Sequence, residues 1–379
     1  MAIRTVTDAI RYVGVDDNTL ALFENQYPVQ PMGVSYNSYV ILDEKIAVMD
    51  SVDARAAEEW LSNVARVLEG RSPDYLVVTH MEPDHSGSLM HLAQRYPEMK
   101  LVGNAKTFTM IKQFFGTGAL TEDRMLEVGE GDTLSLGMHR LRFLMAPMVH
   151  WPETMVTLDT TTNTLFSGDA FGCFGALNGG IIDKDINCDT FWLEMVRYYS
   201  NIVGKYGAQV QALLKKAAGL TIHRICPLHG PIWRRDLGLF LDKYQKWSTY
   251  TPEKQGVLIA YASMYGNTEA AACILASKLC EKGMTNIALH DVSNTHVSYL
   301  ISDAFKYSNI VLASVTYNLG IYPVMHNFLM DMKALNLQKR TVAIIENGSW
   351  ACKSGTLIRK FLDEEMKEMT ILDEQVTMA

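Results

Sequence analysis

Four side chains able to hold a metal fall within six residues in Thr79-His80-Met81-Glu82-Pro83-Asp84-His85-Ser86-Gly87. His80, Glu82, Asp84 and His85 follow the apolar run Tyr75-Leu-Val-Val78, so the spacing places them on the loop at a strand's end, where they can converge on one small volume. Three later residues stand in similar settings. These are His150 in Ala146-Pro-Met-Val-His-Trp151, Asp169 in Phe166-Ser-Gly-Asp-Ala170 and His229 in Cys226-Pro-Leu-His-Gly230. Each follows a strand-like apolar run and sits beside Gly, Pro or Trp. Taken singly, a histidine in an α/β domain is usually an ordinary hydrogen-bonded residue, and His91, His139, His223, His290, His296 and His326 are read that way. The joint arrangement of the seven points to a metal centre.

A second chemistry lies further along the chain. The run Val257–Ala262 leads into Ser263-Met264-Tyr265-Gly266-Asn267-Thr268, and a helix pattern follows. Hydroxyls, an amide and backbone N–H groups at a helix start suit an anion such as a phosphate. Such a loop alone also serves as a plain cap or turn. Two more loops strengthen the reading: Ser314-Val-Thr316-Tyr317-Asn318-Leu-Gly320 and Asn347-Gly348-Ser349-Trp350-Ala351, each after a strand-like run. All three fall on the carboxyl edge, where open α/β sheets bind their ligands.

The elements that must carry these residues divide into two groups. The polar stretch from Trp247 to Gly256, with Pro252 inside it, marks a boundary near residue 250. Beyond it, strands are predicted at 256–262, 286–292, 309–315, 341–346 and 370–376. Helices are predicted near 268–282, 297–307, 323–335 and 354–368. That alternation is what a small doubly wound parallel sheet needs. Residues 1–250 show short β-like runs at 38–50, 75–79, 141–146, 154–159 and 164–168. Helical periodicity appears at 54–68, 91–95, 107–114 and 189–214. The Trp60 and Leu61 stripe reads as core.

With 379 residues the chain is long enough for two or three domains. Lys plus Arg total 34 against 42 Asp plus Glu, a net charge of −8, which argues against a nucleic-acid binder. No apolar run is long enough to span a membrane. Residues 1–14 lack the apolar core of a signal peptide, so a cytoplasmic location is expected. The six cysteines form no CxxC pair, which leaves a zinc ribbon, a rubredoxin module and a thioredoxin motif unsupported. They are expected to be reduced and mostly buried.

The pattern HxExDH-x64-H-x18-D-x59-H resembles the metallo-β-lactamase fold in its di-iron form. With the three later loops, which look like the FMN site of flavodoxin, the whole chain resembles the flavodiiron proteins, also called A-type flavoproteins. The resemblance implies an N-terminal metallo-β-lactamase-like αββα sandwich over residues 1–250. A flavodoxin-like five-stranded doubly wound sheet would follow over 251–379. It implies that His80, Glu82 and His150 bind one iron, that Asp84, His85 and His229 bind the other, and that Asp169 bridges them. In some relatives the residue matching His85 is turned away. Ser263, Met264, Tyr265, Gly266, Asn267 and Thr268 would hold the FMN phosphate. Ser314, Thr316, Tyr317, Asn318, Gly320, Asn347, Gly348, Ser349 and Trp350 would line the ribityl chain and the ring. Zinc hydrolases of this fold place a histidine where Glu82 stands. The carboxylate leaves three anionic oxygen ligands beside four imidazoles, a set that suits ferric iron better than a histidine-rich one.

The resemblance further implies that electrons pass through FMN to the di-iron site, which reduces dioxygen to water, nitric oxide to nitrous oxide, or both. Trp151 would help exclude water. An external donor is needed: a rubredoxin first, with reduced deazaflavin or a flavin reductase as alternatives. The family assembly is a head-to-tail homodimer, or a dimer of such dimers, in which the flavin of one subunit faces the iron pair of the other. Two other readings stay open on the residues alone. One is a metal-dependent hydrolase with a regulatory flavodoxin-like domain. The other is an FMN electron carrier or redox sensor whose metal fold is structural.

Overall fold

In the computed structural model, residues 4–378 are described. The chain forms two compact units. One comprises residues up to Met195 together with Ala212–Leu241, and the other Val196–Gln211 together with the chain from Asp242 onward.

The first unit is built on two sheets. One has seven strands in the order Arg4–Thr5, Ile10–Tyr12, Tyr39–Ile41, Ala47–Met49, Tyr75–Val77, Lys100–Gly103 and Met125–Glu127. The other has five: Thr133–Ser135, Arg140–Met145, Met155–Asp159, Thr164–Phe166 and Arg224–Cys226. Tyr75–Val77 is fully buried and pairs in parallel with Ala47–Met49 and Lys100–Gly103, which accounts for its uninterrupted apolar sequence. The two sheets meet through their inner residues. Tyr39 packs edge-on to Phe166 with ring centroids 5.4 Å apart, and the Met155 N–H donates to the Thr79 carbonyl at 3.1 Å. Helices Ala57–Leu68, Leu89–Arg95 and Ala105–Phe115 belong to the same unit. Trp60, predicted as core, is completely buried. The expected run 38–50 is two antiparallel strands, Tyr39–Ile41 and Ala47–Met49, joined by a turn.

The second unit contains a parallel sheet in the order Ile287–Asp291, Lys254–Ala262, Tyr307–Tyr317, Thr341–Asn347 and Thr370–Met378. The strand leading the unit thus lies second, the doubly wound order anticipated from the alternation of elements. A two-residue strand, Gly320–Ile321, adds an antiparallel pair to the end of Tyr307–Tyr317. Helices Asn267–Glu281, Val297–Lys306, Pro323–Ala334 and Ser354–Glu365 connect the strands. The fold is therefore α/β throughout, a metallo-β-lactamase-like sandwich and a flavodoxin-like sheet.

One expectation needs correction. The helix expected over 189–214 is broken into Asp189–Tyr198, a π-turn at Tyr199–Val203, a 3-10 turn at Gly204–Tyr206 and Gly207–Ala217. At the break the Asn201 amide and the Ser200 hydroxyl both donate to the Arg197 carbonyl, competing with the helical ladder. Residues 196–211 and 242–250 also cluster with the C-terminal sheet rather than with what precedes them. Tyr199 packs on Trp247 and Phe305, and the buried Arg340 guanidinium donates to the carbonyls of Tyr250, Ala304 and Phe305. An aromatic and hydrogen-bonded seam, invisible as periodicity, thus sets that edge. All six cysteines are free, but only Cys173 and Cys226 are buried. Among the described residues, no helix is long and apolar enough to cross a membrane.

Candidate functional site

The seven metal-type residues of the first unit meet at the carboxyl ends of its strands. His80 and Glu82 follow Tyr75–Val77, but Asp84 and His85 lie on a short helical turn, Pro83–Ser86, rather than on open loop. That turn stacks Asp84 and His85 toward the same volume. His150 stands on a tight turn after Arg140–Met145, held by the Met148 N–H donating to the Trp151 carbonyl at 2.7 Å. Asp169 follows Thr164–Phe166 through Gly168, which takes φ +62°. His229 follows Arg224–Cys226 and precedes Gly230, whose φ is +78°. A β-carbon on Gly230 would lie 2.3 Å from Cys173 Sγ, so only glycine fits the return of the chain there.

The side chains form two groups able to hold a metal ion. One is His80, Glu82, His150 and Asp169, and the other is Asp84, His85 and His229. In the first, His150 Nε2 lies 2.9 Å from Glu82 Oε2 and 3.1 Å from Asp169 Oδ2, and His80 Nε2 lies 3.2 and 3.3 Å from the same two oxygens. In the second, His229 Nε2 lies 3.1 Å from Asp84 Oδ2, and His85 Nε2 lies 3.0 Å from His229 Nε2. Asp169 faces both groups, because its Oδ1 is 3.1 Å from His85 Nε2 while its Oδ2 faces His80 and His150. His85 is turned into the cluster, not away from it.

Burial opposes charge on His80, yet the carboxylates of Asp169, Glu153 and Glu82 together outweigh it and hold the imidazole well above its ordinary pKa. Burial likewise opposes charge on His150, while hydrogen bonds to Asp169 and Glu82 push it up to about 9. Burial alone would raise Asp169; the charges of His85 and His80 hold it well below the usual carboxylate range. Both carboxylate oxygens of Asp84 and Oδ1 of Asp169 are buried without a hydrogen-bond partner among the described residues. Buried anionic oxygens left in that state fit metal cations, and the mix of four imidazoles with three carboxylates suits iron.

In the second unit, three loops enclose a cavity of about 310 Å³ at the carboxyl edge of the sheet. Of the residues expected at a flavin, Ser263, Met264, Tyr265, Asn267, Thr268, Thr316, Tyr317, Asn318, Asn347, Gly348, Ser349 and Trp350 line it. Gly266, Ser314 and Gly320 do not. Gly266 takes φ +89° to start helix Asn267–Glu281, whose N-terminus no side chain caps, leaving its first N–H groups for an anion. Ser314 is buried beneath the loop and Gly320 pairs with Tyr317. The Thr316 hydroxyl accepts from the N–H groups of Lys353 and Ser354, so it caps helix Ser354–Glu365. The Asn347 amide donates to Thr268 Oγ1 at 3.1 Å, tying the third loop to the first.

Residues 34–230 match the family described as ODP family beta lactamase. Across 361 residues the chain is 30% identical to rubredoxin-oxygen oxidoreductase of Megalodesulfovibrio gigas, covering 94% of this chain and 88% of that one. The crystal structure of the flavodiiron protein from Giardia intestinalis superposes with a TM-score of 0.90 at 26% identity, over 98% of this chain and 91% of that one. The chain belongs to the flavodiiron protein family. It is also 28% identical over 368 residues to a nitric oxide reductase of Moorella thermoacetica, covering 97% of this chain and 90% of that one.

Other groups at this flavodiiron site escape sequence reasoning. Beside the cluster opens a cavity of about 470 Å³ whose lining includes Glu82, Asp84, Tyr36, Phe23, Glu24 and Arg55. Glu24, on the turn between Leu22–Phe23 and Tyr27–Pro28, keeps over a third of its surface open. Even so, enclosure of its carboxyl and then the Glu82 charge push it up to about 8. Phe23 packs edge-on to His229, and Trp151 edge-on to His80. Behind the histidines, His229 Nδ1 donates to the Ser35 carbonyl at 2.7 Å, and His80 Nδ1 lies 3.0 Å from Glu153 Oε1. Neither Glu24 nor Glu153 belongs to a motif, so no spacing signal could have found them.

Proposed function

We propose that the protein reduces dioxygen to water, nitric oxide to nitrous oxide, or both, at a non-haem di-iron centre, using electrons that reach it through FMN. The observation that carries this reading is Asp169, whose two oxygens face two separate groups of metal-type side chains. His80, Glu82 and His150 would hold one iron, Asp84, His85 and His229 the other, and Asp169 would join them. Loaded with two ferrous ions and reduced FMN, the protein would hold the four electrons that dioxygen needs, or two for each pair of nitric oxide molecules. The chain's own residues prepare the site. Nδ1–H groups directed at Ser35 and Glu153 leave Nε2 of His229 and His80 facing the cluster. Trp151 and Phe23 wall it with apolar rings and exclude water. The Glu24 carboxyl faces the cavity that also reaches Glu82 and Asp84.

The FMN phosphate would sit at the uncapped start of helix Asn267–Glu281, with Ser263 and Thr268, and the ring between the loops of Tyr317 and Trp350. The metal chemistry thus belongs to residues 1–250 and the flavin to 251–379. Electrons would come from an external donor, a rubredoxin, in line with the curated relative named rubredoxin-oxygen oxidoreductase. Reduced deazaflavin and a flavin reductase are the alternative donors. A head-to-tail homodimer, or a pair of them, would bring flavin and iron pair together, and six free cysteines suit the reducing cytoplasm.

The experiment is anaerobic rapid mixing of the fully reduced protein with dioxygen and, separately, with nitric oxide, following flavin absorbance and assaying products. Reoxidation faster than that of free FMN is expected with at least one gas, and the faster one names the substrate. Reoxidation by neither gas would leave a hydrolase or an electron carrier.

A further inference from the structure

Glu153 is the most deeply enclosed carboxylate near the cluster that is not itself turned toward it. It lies in the turn Trp151-Pro-Glu-Thr154 before strand Met155–Asp159, and its side chain is fully buried. Oε1 accepts from the Met81 N–H at 2.8 Å and lies 3.0 Å from His80 Nδ1. Because an ionised carboxylate only accepts, His80 carries its proton on Nδ1 and turns Nε2 toward Glu82 and Asp169. The glutamate is itself fixed. The Asn104 amide, whose carbonyl oxygen caps helix Ala105–Phe115, donates to the Glu153 backbone carbonyl at 2.6 Å. Oε2 is buried with no hydrogen-bond partner among the described residues, so its charge is not spread over other donors. Behind His229, by contrast, the acceptor is the neutral Ser35 carbonyl.

The two metal positions therefore differ in the charge that stands behind a histidine. A carboxylate on Nδ1–H makes the imidazole a stronger donor at Nε2, and a full negative charge one ring away favours the more oxidised metal. We propose that Glu153 is a positioning residue that makes the two metal positions unequal. Through the Nδ1–H of His80 it gives the position formed by His80, Glu82, His150 and Asp169 tighter metal binding and a lower reduction potential than the position formed by Asp84, His85 and His229. This rests on the reading of the cluster as a metal pair.

The test uses the full chain in three forms: wild type, Glu153→Gln and Glu153→Ala. Iron per chain is measured after dialysis against graded chelator, and the two one-electron potentials are measured by a redox titration followed by electron paramagnetic resonance. Glu153→Gln keeps an acceptor for His80 and Met81 but removes the charge. It is expected to retain two metals and to raise the lower of the two potentials, narrowing the gap between them. Glu153→Ala also removes the orienting bond and is expected to bind one metal roughly 10–100-fold more weakly while holding the other. Flavin content and melting temperature, unchanged in Glu153→Gln, separate this from misfolding. Equal shifts of both potentials, a shift of the upper one alone, or no shift would overturn the proposal. A wild type that binds fewer than two metals would instead overturn the metal-pair reading.

Discussion

The metal cluster and the loop cavity of the second unit occupy the same kind of place, the carboxyl ends of strands, yet they are built in opposite ways. His80, His85, Asp169 and His229 are each 1% exposed or less, and each is held by bonds to residues distant in sequence. The cavity rim is open: Tyr265 is 89% exposed and Trp350 78%. A metal pair would tolerate little error in ligand position, and the residues that would hold it are already fixed. A flavin brings its own large flat surface, and the loops need only a firm base and free rims. Substitutions in the first region should therefore spread through the whole cluster, whereas at the rim they should stay local.

The harshest test is Asp169→Asn. It removes the one charge shared by both groups, and we expect loss of metal from both positions and a fall of roughly 100-fold or more in gas-driven flavin reoxidation. Metal analysis and flavin content check it; retention of two metals would break the claim that Asp169 couples the groups. Next comes the base of the second unit. Arg340, 1% exposed, donates to the carbonyls of Tyr250, Ala304, Phe305, Gln338 and Lys339. Arg340→Leu strands those buried acceptors and should cost about 3 kcal/mol or more in urea unfolding.

Smaller effects are expected closer to the rim. A β-carbon at Gly348 would lie 2.2 Å from the Ala351 carbonyl oxygen, so Gly348→Ala must shift the third loop. We expect flavin affinity to fall about tenfold, equivalent to about 1.4 kcal/mol, with metal content unchanged in equilibrium dialysis. Tyr265→Ala should be mildest, within about 0.5 kcal/mol in unfolding, since the ring contacts little protein. A large loss of stability there would erase the contrast between fixed cluster and open rim.

The cluster was legible because its chemistry is local in sequence where it begins. His80, Glu82, Asp84 and His85 announce themselves within six residues, and each later ligand type ends an apolar run. The doubly wound order was legible for a similar reason, since strands and helices alternate with clear periods. The break at Tyr199–Val203 was not, because it depends on side chains of Ser200 and Asn201 choosing the Arg197 carbonyl. Thr316 lines the cavity as expected, and no sequence signal showed that its hydroxyl also caps a helix that starts 38 residues later. Glu24 and Glu153 carried no signal, since an isolated glutamate in a turn looks the same whether it faces solvent or a buried imidazole.

By itself the sequence determined which chemistries the chain can perform: residue types with lone pairs at strand ends, and hydroxyl and glycine loops before helices. Those properties are local, set by side-chain identity and by the period of apolar residues. The family resemblance already implied the division of the seven metal-type residues with Asp169 between the two groups; only the tertiary structure decided which of their atoms approach one another, and that a carboxylate stands behind His80 while a carbonyl stands behind His229. These depend on which atoms approach within about 3 Å across long stretches of chain, where direct hydrogen bonds and unscreened charge act. No local pattern encodes such distances.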